Sequence, residues 1–154
     1  MWITHGLHSS DFQCTLTTLD LMILLVTRAG MVRRSRYILL VDHNPDFMDV
    51  ISHILTKLGH VVKGETESLK ALRAFSEDHD YFDVAILDVS ITEDLTGLEL
   101  AQRFRRIDRD FPVVLYGNDV DGVTINDVKK AGIYWFDKPK STSGMKRIIG
   151  QMFG

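Results

Sequence analysis

Short apolar runs alternating with helical patterns constrain the fold of this chain more than any other feature. The runs occupy residues 37–41, 60–63, 84–87, 113–116 and 133–136, and they are rich in β-branched and aromatic residues. The run at 84–87 has no polar alternation, which is typical of a strand covered on both faces. Strands that alternate with helices favour an α/β domain with a parallel sheet. We therefore predict a doubly wound domain of five strands and five helices.

The predicted helices carry local start and stop signals. Asn44 followed by Pro45 is a strong N-cap and first-turn pair, and Gly59 supplies the stop. A second helix is expected from Thr66 to about His79. The predicted inward residues are Phe47, Val50, Ile51, Ile54, Leu55 and Leu58 in the first helix, and Leu69, Leu72 and Phe75 in the second.

The later helices are delimited in the same way. Thr96 and Glu99 form a capping-box pattern, with Leu100, Phe104 and Ile107 predicted to face inward. A helix over about 123–131 should end at Gly132. Either Ser141 or Ser143 caps the last helix, whose predicted inward residues are Met145, Ile148, Ile149 and Met152.

Residues 1–35 differ from the rest, and we expect them to be an N-terminal extension to a domain spanning 36–154. The apolar run at 21–26 is far shorter than the ~20 residues of a membrane helix, and a basic region typical of a signal peptide is lacking. Met31 is a natural start for the domain, so residues 1–30 are either an appendage or upstream over-translation. The alternative is a short helix at about 15–27. The single cysteine, Cys14, fits a reducing compartment.

Charged side chains follow three of the predicted strands. Asp42 follows 37–41, Asp88 follows 84–87, and Lys138 lies just beyond 133–136. Taken singly, Asp42 suits a helix cap, Asp88 a turn and Lys138 a solvated surface. Because ligands of open parallel sheets bind outside the carboxyl ends of the strands, we expect all three at one site. Two carboxylates and an ammonium suggest metal and phosphoryl chemistry.

From about residue 36 to 153 the sequence resembles the receiver domain of bacterial two-component response regulators. The matching segments are ILLVDHNPD, FDVAILDVS, TGLELA, FPVVLYG, Ala131–Gly132 and Lys138–Pro139. The resemblance implies the flavodoxin-like fold with strand order 2-1-3-4-5. It also implies that Asp88 accepts a phosphoryl group and that Lys138 pairs with Asp88 before modification. Asp42, Asp88 and the backbone carbonyl of Ser90 would hold Mg²⁺.

Two site positions depart from the family pattern. Receivers carry a second acidic residue after the first strand, where this chain has His43. Imidazole is a poor Mg²⁺ ligand, so His43 is a doubtful metal ligand and Mg²⁺ affinity should be weak. Receivers also end the fourth strand with Thr or Ser, whereas this chain has Gly117, or Tyr116 if the alignment shifts by one.

The loop after Asp88 and the fifth strand also differ. Ile91–Thr92 replaces the usual Met-Pro pair, and Gly97 arrives one residue late. Glu93 and Asp94 in this loop would either repel a phosphoryl group or replace a metal ligand. Trp135 stands where receivers have the Tyr or Phe that changes rotamer on activation, and a core role is an equal alternative.

We predict a stand-alone, cytoplasmic receiver that is not an enzyme. It would be phosphorylated by a sensor histidine kinase or phosphotransfer protein and act on a downstream protein, with a homodimer through the strand 4–helix–strand 5 face left open. The alternative is a degenerate receiver that binds proteins without phosphorylation. A flavin or nucleotide binder is disfavoured because the loop after strand 1 lacks a Gly-rich cradle.

The other charged residues and histidines are not expected to form functional sites. The net charge of −3 gives no case for nucleic-acid binding, and Arg33, Arg34 and Arg36 are predicted to be a solvated chain end. The remaining histidines show no metal-ligand spacing and are expected on the surface or in helices: His5, His8, His53, His60 and His79.

Overall fold

The computed structural model describes residues 35–118 and 125–154 of the chain. The predicted extension with its short helix, its residue Cys14 and most of its boundary with the domain therefore lie outside the described residues. So do Arg33, Arg34, His5, His8 and the start of the helix predicted at 123.

Five strands form one parallel sheet. They are β1 (Tyr37–Val41), β2 (Val61–Glu65), β3 (Val84–Asp88), β4 (Val113–Gly117) and β5 (Tyr134–Asp137). Their order is β2-β1-β3-β4-β5, with each neighbouring pair parallel. The predicted doubly wound five-stranded sheet is confirmed. The register places Val41 beside Leu87 and Asp88 beside Tyr116, so the carboxyl ends of β1, β3 and β4 are level.

Most of the helix boundaries lie where local signals predicted them. They are α1 (Pro45–Lys57), α2 (Ser68–Asp78), α3 (Gly97–Ile107), α4 (Ile125–Lys130) and α5 (Thr142–Phe153), with a 3-10 turn at His79–Tyr81. The Asn44 side chain caps α1, and Thr96 and Glu99 form the capping box of α3. Ser141, not Ser143, caps α5. Gly59 and Gly132 follow α1 and α4 with φ of 91° and 68°, the left-handed conformation in which glycine is least strained.

Helices cover both faces of the sheet. On one face α1 and α5 pack over alternate residues of the strands, including Ile38, Leu40 and Val114. On the other face α2, α3 and α4 pack over Leu39 and Leu115. The two buried faces explain why β3 and β4 are apolar throughout.

Three predicted inward residues are substantially exposed. Leu58, Leu69 and Ile107 are 37%, 50% and 39% exposed, respectively. In α2 the buried side is formed by Ser68, Ala71 and Phe75. Successive helix residues are ~100° apart, so Leu69 points away from the sheet. Leu58 and Ile107 lie at or just beyond the last turn of their helices.

The strand predicted at 60–63 is observed as β2, one residue later at its start and two later at its end. His60 is not part of it, and its buried side chain is a connector between two other segments of the chain. The N–H of Arg36 donates to its Nδ1 at 3.0 Å, and its Nε2 donates to the carbonyl of Phe153 at 2.7 Å. A backbone N–H only donates and a carbonyl only accepts, so both bonds require the neutral ring. The expectation that His60 lies on the surface or in a helix was wrong, and so was the expectation of a solvated Arg36. Helix α2 then begins at Ser68 rather than Thr66.

Candidate phosphoryl and metal site

Two buried carboxylates lie side by side at the carboxyl edge of the sheet. Asp42 directly follows β1 and Asp88 ends β3, and both side chains are fully buried. Strands β1 and β3 are neighbours at the centre of the sheet, so chain topology alone brings together residues 46 positions apart. Buried carboxylates are costly unless hydrogen bonds compensate them, so their partners define the chemistry of the site.

Asp42 is held by three groups. Its Oδ1 accepts the N–H of Asn44 at 2.7 Å, and its Oδ2 accepts the hydroxyl of Tyr116. The Nζ atom of Lys138 lies 3.7 Å from the same Oδ2. Burial raises the pKa of Asp42 above its ordinary 3.8, although the bonds from Tyr116 and Asn44 oppose the rise. These contacts fix the orientation of the carboxylate.

Asp88 is held by its own loop and by His43. The N–H of Ser90 donates to Oδ1 at 3.0 Å, and the Ser90 hydroxyl lies 2.8 and 2.9 Å from Oδ1 and Oδ2. Nδ1 of His43 lies 2.6 Å from Oδ2. An ionised carboxylate only accepts, so Nδ1 carries the hydrogen in this contact. The His43 side chain is 54% exposed and can leave Asp88 without disturbing the core.

Lys138 is present at the site but has a different partner from the one expected. We expected an ion pair with Asp88, whereas the structure pairs Lys138 with Asp42. Its Nζ atom lies 4.0 Å from the ring centroid of Phe47 and 5.3 Å from that of Tyr116, within range of cation–π attraction. His43 and Ser90 already occupy the oxygens of Asp88. The ammonium therefore lies between Asp42 and two aromatic faces.

The end of β4 supplies a contact that the sequence did not predict, from Tyr116, which was named only as an alternative to Gly117. Gly117 occupies the last position of β4 and has no hydroxyl, as expected. Tyr116 points to the opposite face, stacks on Phe136 at 5.2 Å and donates its hydroxyl to Asp42. Burial, with the adjacent Asp42 carboxylate, holds the pKa of Tyr116 well above its ordinary 10.0. Its only sequence signal was a phenol at the end of an apolar strand.

The acidic residues of the loop after β3 are not part of the metal cluster among the described residues. Among described residues the candidate metal cluster consists of Asp42, His43 and Asp88, without Glu93 or Asp94. Asp94 adopts φ of 62°. It lies in the loop that the sequence predicts to be one residue longer than is usual for receivers. The hydroxyl of Ser68 donates to the Glu93 carbonyl at 2.7 Å and anchors the loop to α2.

Gly97 marks a very close approach at the start of α3. A Cβ atom there would lie 2.4 Å from the backbone oxygen of Asp88 and 2.9 Å from Cα of Val89. Only glycine lets the helix reach the end of β3 so closely. The carbonyl group of Asp88 is thereby packed against α3.

Trp135 is half-buried and packs against the cluster under α2, α3 and α4. Its indole N–H donates to Asp137 at 3.0 Å. The packing against this cluster agrees with a core role for Trp135, and its half-exposed position is compatible with a switch role.

The candidate ligands fit Mg²⁺ only in part. One ligand atom from each of Asp42, His43 and Asp88 lies within 4.8 Å of the others. Carboxylate oxygens suit Mg²⁺, whereas an imidazole nitrogen suits transition metals better. The role of the Ser90 carbonyl as a ligand stays a prediction. The contacts of Ser90 with Asp88 are made by its N–H and its hydroxyl.

Comparison with known proteins agrees with this geometry. A family profile described as "Response regulator receiver domain" matches residues 38–149. No curated protein matches the chain in sequence. Every helix in residues 35–118 and 125–154 is too short or too polar to cross a lipid bilayer.

Solved structures share the fold at low identity. NtrX from Brucella abortus is 22% identical with a TM-score of 0.63 over 77% of this chain, which spans only 27% of NtrX. Chemotaxis protein CheY4 of Vibrio cholerae is 21% identical (TM-score 0.64; 77% of this chain, 98% of that one). The receiver domain of a Pseudomonas aeruginosa sensor histidine kinase, with a magnesium ion in its active site cleft, is 23% identical (0.62; 78% and 98%).

Proposed function

The chain belongs to the response regulator receiver domain family of two-component systems, and from that premise we propose that Asp88 accepts a phosphoryl group. The donor would be the phosphohistidine of a histidine kinase or of a phosphotransfer protein. The protein would act by protein–protein contact rather than as an enzyme, and would meet its kinase in the cytoplasm. The convergence of Asp42, Asp88 and Lys138 at one edge of the sheet carries this proposal.

The phosphoryl transfer follows from the position of Asp88. One carboxylate oxygen attacks phosphorus, an O–P bond forms, and the N–P bond of the donor breaks. The departing imidazole nitrogen retains the electron pair and takes a proton. The product is an aspartyl phosphate. In this scheme His43 leaves Asp88, and Lys138 moves from Asp42 toward the new phosphoryl oxygens, where its compact charge stabilises them.

A divalent metal supplies positive charge to phosphoryl oxygens in such sites. Asp42, Asp88 and the carbonyl of Ser90 would hold Mg²⁺ here, weakly, because His43 replaces an oxygen ligand. Asn44, Tyr116 and Ser90 keep the two carboxylates oriented through hydrogen bonds.

Mass spectrometry of the intact protein tests this proposal. Wild type incubated with acetyl phosphate and Mg²⁺ should gain one phosphoryl group, and Asp88→Asn should gain none. Asp80→Asn is the matched control, because it makes the same chemical change at an aspartate that is 95% exposed and outside the cluster. Folded wild type that stays unlabelled over a wide Mg²⁺ range, or labelling that persists in Asp88→Asn, would contradict the assignment.

A phosphorylation-independent receiver is the second candidate. Two observations favour it. Nδ1 of His43 is hydrogen-bonded to Oδ2 of Asp88 at 2.6 Å, and Gly117 at the end of β4 has no hydroxyl. In this case Asp88→Ala should leave partner binding intact, measured by pull-down from the source cells under native conditions. Loss of the partner in a folded Asp88→Ala protein would count against this candidate.

The output surface would be formed by β4, α4 and β5. Self-association through this face is a further proposal, testable by sedimentation of the protein before and after treatment with beryllofluoride. An unchanged sedimentation coefficient in labelled protein would argue against dimer formation on activation.

A further inference from the structure

We propose that the cluster of Asp42, His43 and Asp88 selects a transition-metal ion of the Zn²⁺, Co²⁺ and Ni²⁺ class over Mg²⁺. This inference rests on the proposed function, because it concerns the metal of the same site. It is nevertheless measurable without phosphoryl transfer, so the two proposals can fail separately.

The ligand chemistry supports this selectivity. Two carboxylates and one imidazole form a mixed oxygen and nitrogen donor set, within 4.8 Å of one another. Imidazole suits Zn²⁺, Ni²⁺ and Cu²⁺, whereas Mg²⁺ demands oxygen ligands and gives up its water reluctantly. Each Mg²⁺ ligand lost to nitrogen weakens Mg²⁺ binding, and the same exchange strengthens binding of Zn²⁺.

The two distances from the His43 nitrogen to the carboxylates lie on either side of the value for a zinc site, and the carboxylate oxygens lie within 4.8 Å of each other. Nδ1 of His43 lies 2.6 Å from Oδ2 of Asp88 and 3.8 Å from Oδ1 of Asp42. Ligand atoms at the corners of a zinc tetrahedron are roughly 3.3 Å apart for bonds of about 2.0–2.1 Å. The two observed distances bracket that value. A small movement of the exposed imidazole would equalise them while the buried carboxylates stay in place.

The protonation of His43 is also compatible with metal binding. Nδ1 now donates to Asp88, and a neutral imidazole can carry its proton on Nε2 instead. That tautomer frees the Nδ1 lone pair for the metal. Because His43 is half-exposed, Nε2 can then donate to water.

Hydrogen bonds from outside the cluster hold the carboxylates in orientation. Asn44 and Tyr116 donate to Asp42, and Ser90 donates to Asp88. Such outer contacts are a usual part of metal sites, where they orient the ligands and raise affinity.

The cluster borders a surface cavity at His43. A cavity of about 340 Å³ is lined by His43, Thr66, Glu67, Ile91, Thr92 and Glu93. Three protein ligands and one solvent-facing position form the usual arrangement of an open, reactive zinc site. The same open position would allow a phosphoryl oxygen to approach the metal.

Metal titration of the full chain tests the inference. Co²⁺ binding is followed by its visible absorption, Zn²⁺ by competition with Co²⁺, and Mg²⁺ by calorimetry. Wild type should bind Zn²⁺ at least about 100-fold more tightly than Mg²⁺. His43→Asn should weaken Zn²⁺ binding about 10- to 100-fold, and His43→Asp should tighten Mg²⁺ binding and lower the Zn²⁺ preference.

Control variants separate this site from other metal-binding side chains. His53→Ala removes an exposed histidine of α1, and Cys14→Ala removes the thiol, so neither should change the Zn²⁺ affinity of the site. Equal affinity of wild type for Mg²⁺ and Zn²⁺, or Zn²⁺ binding unchanged in His43→Asn, overturns the inference. Failure of phosphorylation with selective Zn²⁺ binding retained would instead overturn only the phosphoryl-acceptor proposal.

Discussion

Replacing Gly97 with alanine should destabilise the protein because the first turn of α3 touches the end of β3. The added Cβ would lie 2.4 Å from the backbone oxygen of Asp88 and 2.9 Å from Cα of Val89. Ordinary contacts of this kind are about 3.5 Å, so the Asp88 contact is short by about 1 Å. Both obstacles are backbone atoms, one in the last residue of β3 and one in the residue that follows it, and they cannot rotate away as a side chain could.

The magnitude follows from two opposing terms. Overpacking of a well-packed region costs about 1–3 kcal/mol, and this contact belongs at the upper end because backbone must move. Alanine is favoured over glycine within a helix by up to about 1 kcal/mol, which offsets part of that cost. We expect a net loss of about 2 kcal/mol. In a domain of this size that lowers Tm by about 4–8 °C.

Gly150→Ala is the matched control. It lies inside α5, and a Cβ there meets no atom within 4 Å. The same substitution should therefore raise stability by about 0.5–1 kcal/mol. Urea unfolding followed by circular dichroism measures both variants.

The opposite signs make the comparison decisive. If Gly97→Ala is as stable as wild type while Gly150→Ala is stabilised, the close approach of α3 to β3 is wrong. Gly97→Ala should also slow phosphorylation of Asp88, because relief of the contact displaces the Asp88 backbone.

Three further changes have defined outcomes. Tyr116→Phe should cost about 1.5–3 kcal/mol at neutral pH by removing a hydrogen bond to a buried charge. Urea unfolding below pH 3.8 should show a smaller loss, because burial raises the pKa of Asp42 above 3.8 and the carboxyl is mainly protonated there. Because burial raises the pKa of Asp42, the folded protein retains a proton that the unfolded chain has lost. The contribution of Asp42 to the free energy of unfolding therefore falls as pH rises from 3.8 through the raised pKa. Asp42→Asn should remove this pH dependence, measured by urea unfolding across this range. His60→Leu should cost about 1–3 kcal/mol in the same assay by leaving the N–H of Arg36 and the carbonyl of Phe153 unpaired, and a loss under about 0.5 kcal/mol would contradict the buried connector.

Local patterns predicted what depends on neighbouring residues. The Asn44–Pro45 start, the Thr96–Glu99 capping box and the glycine stops are confirmed because each acts within one helical turn. The positions of Asp42 and Asp88 followed from the rule that parallel strands end at one edge.

Long-range contacts could not be predicted in the same way. Lys138 pairs with Asp42 because the oxygens of Asp88 are already hydrogen-bonded to His43 and Ser90. This depends on contacts between residues that are distant in the sequence. The burial of His60 depends on a carbonyl 93 positions away. The bond from Tyr116 to Asp42 was not predicted, because nothing local shows that the hydroxyl reaches a residue 74 positions away.

The order of the strands has a consequence for folding on the ribosome. After β1 and β2, each strand leaving the ribosome joins an edge already formed: β3 beside β1, β4 beside β3, β5 beside β4. The sheet can thus grow outward in step with translation, as domains tend to do from the N-terminal side. One face stays incomplete until the end, because α5 supplies Met145, Ile149 and Met152. A nascent chain stalled before α5 would expose that apolar face to chaperones and aggregation.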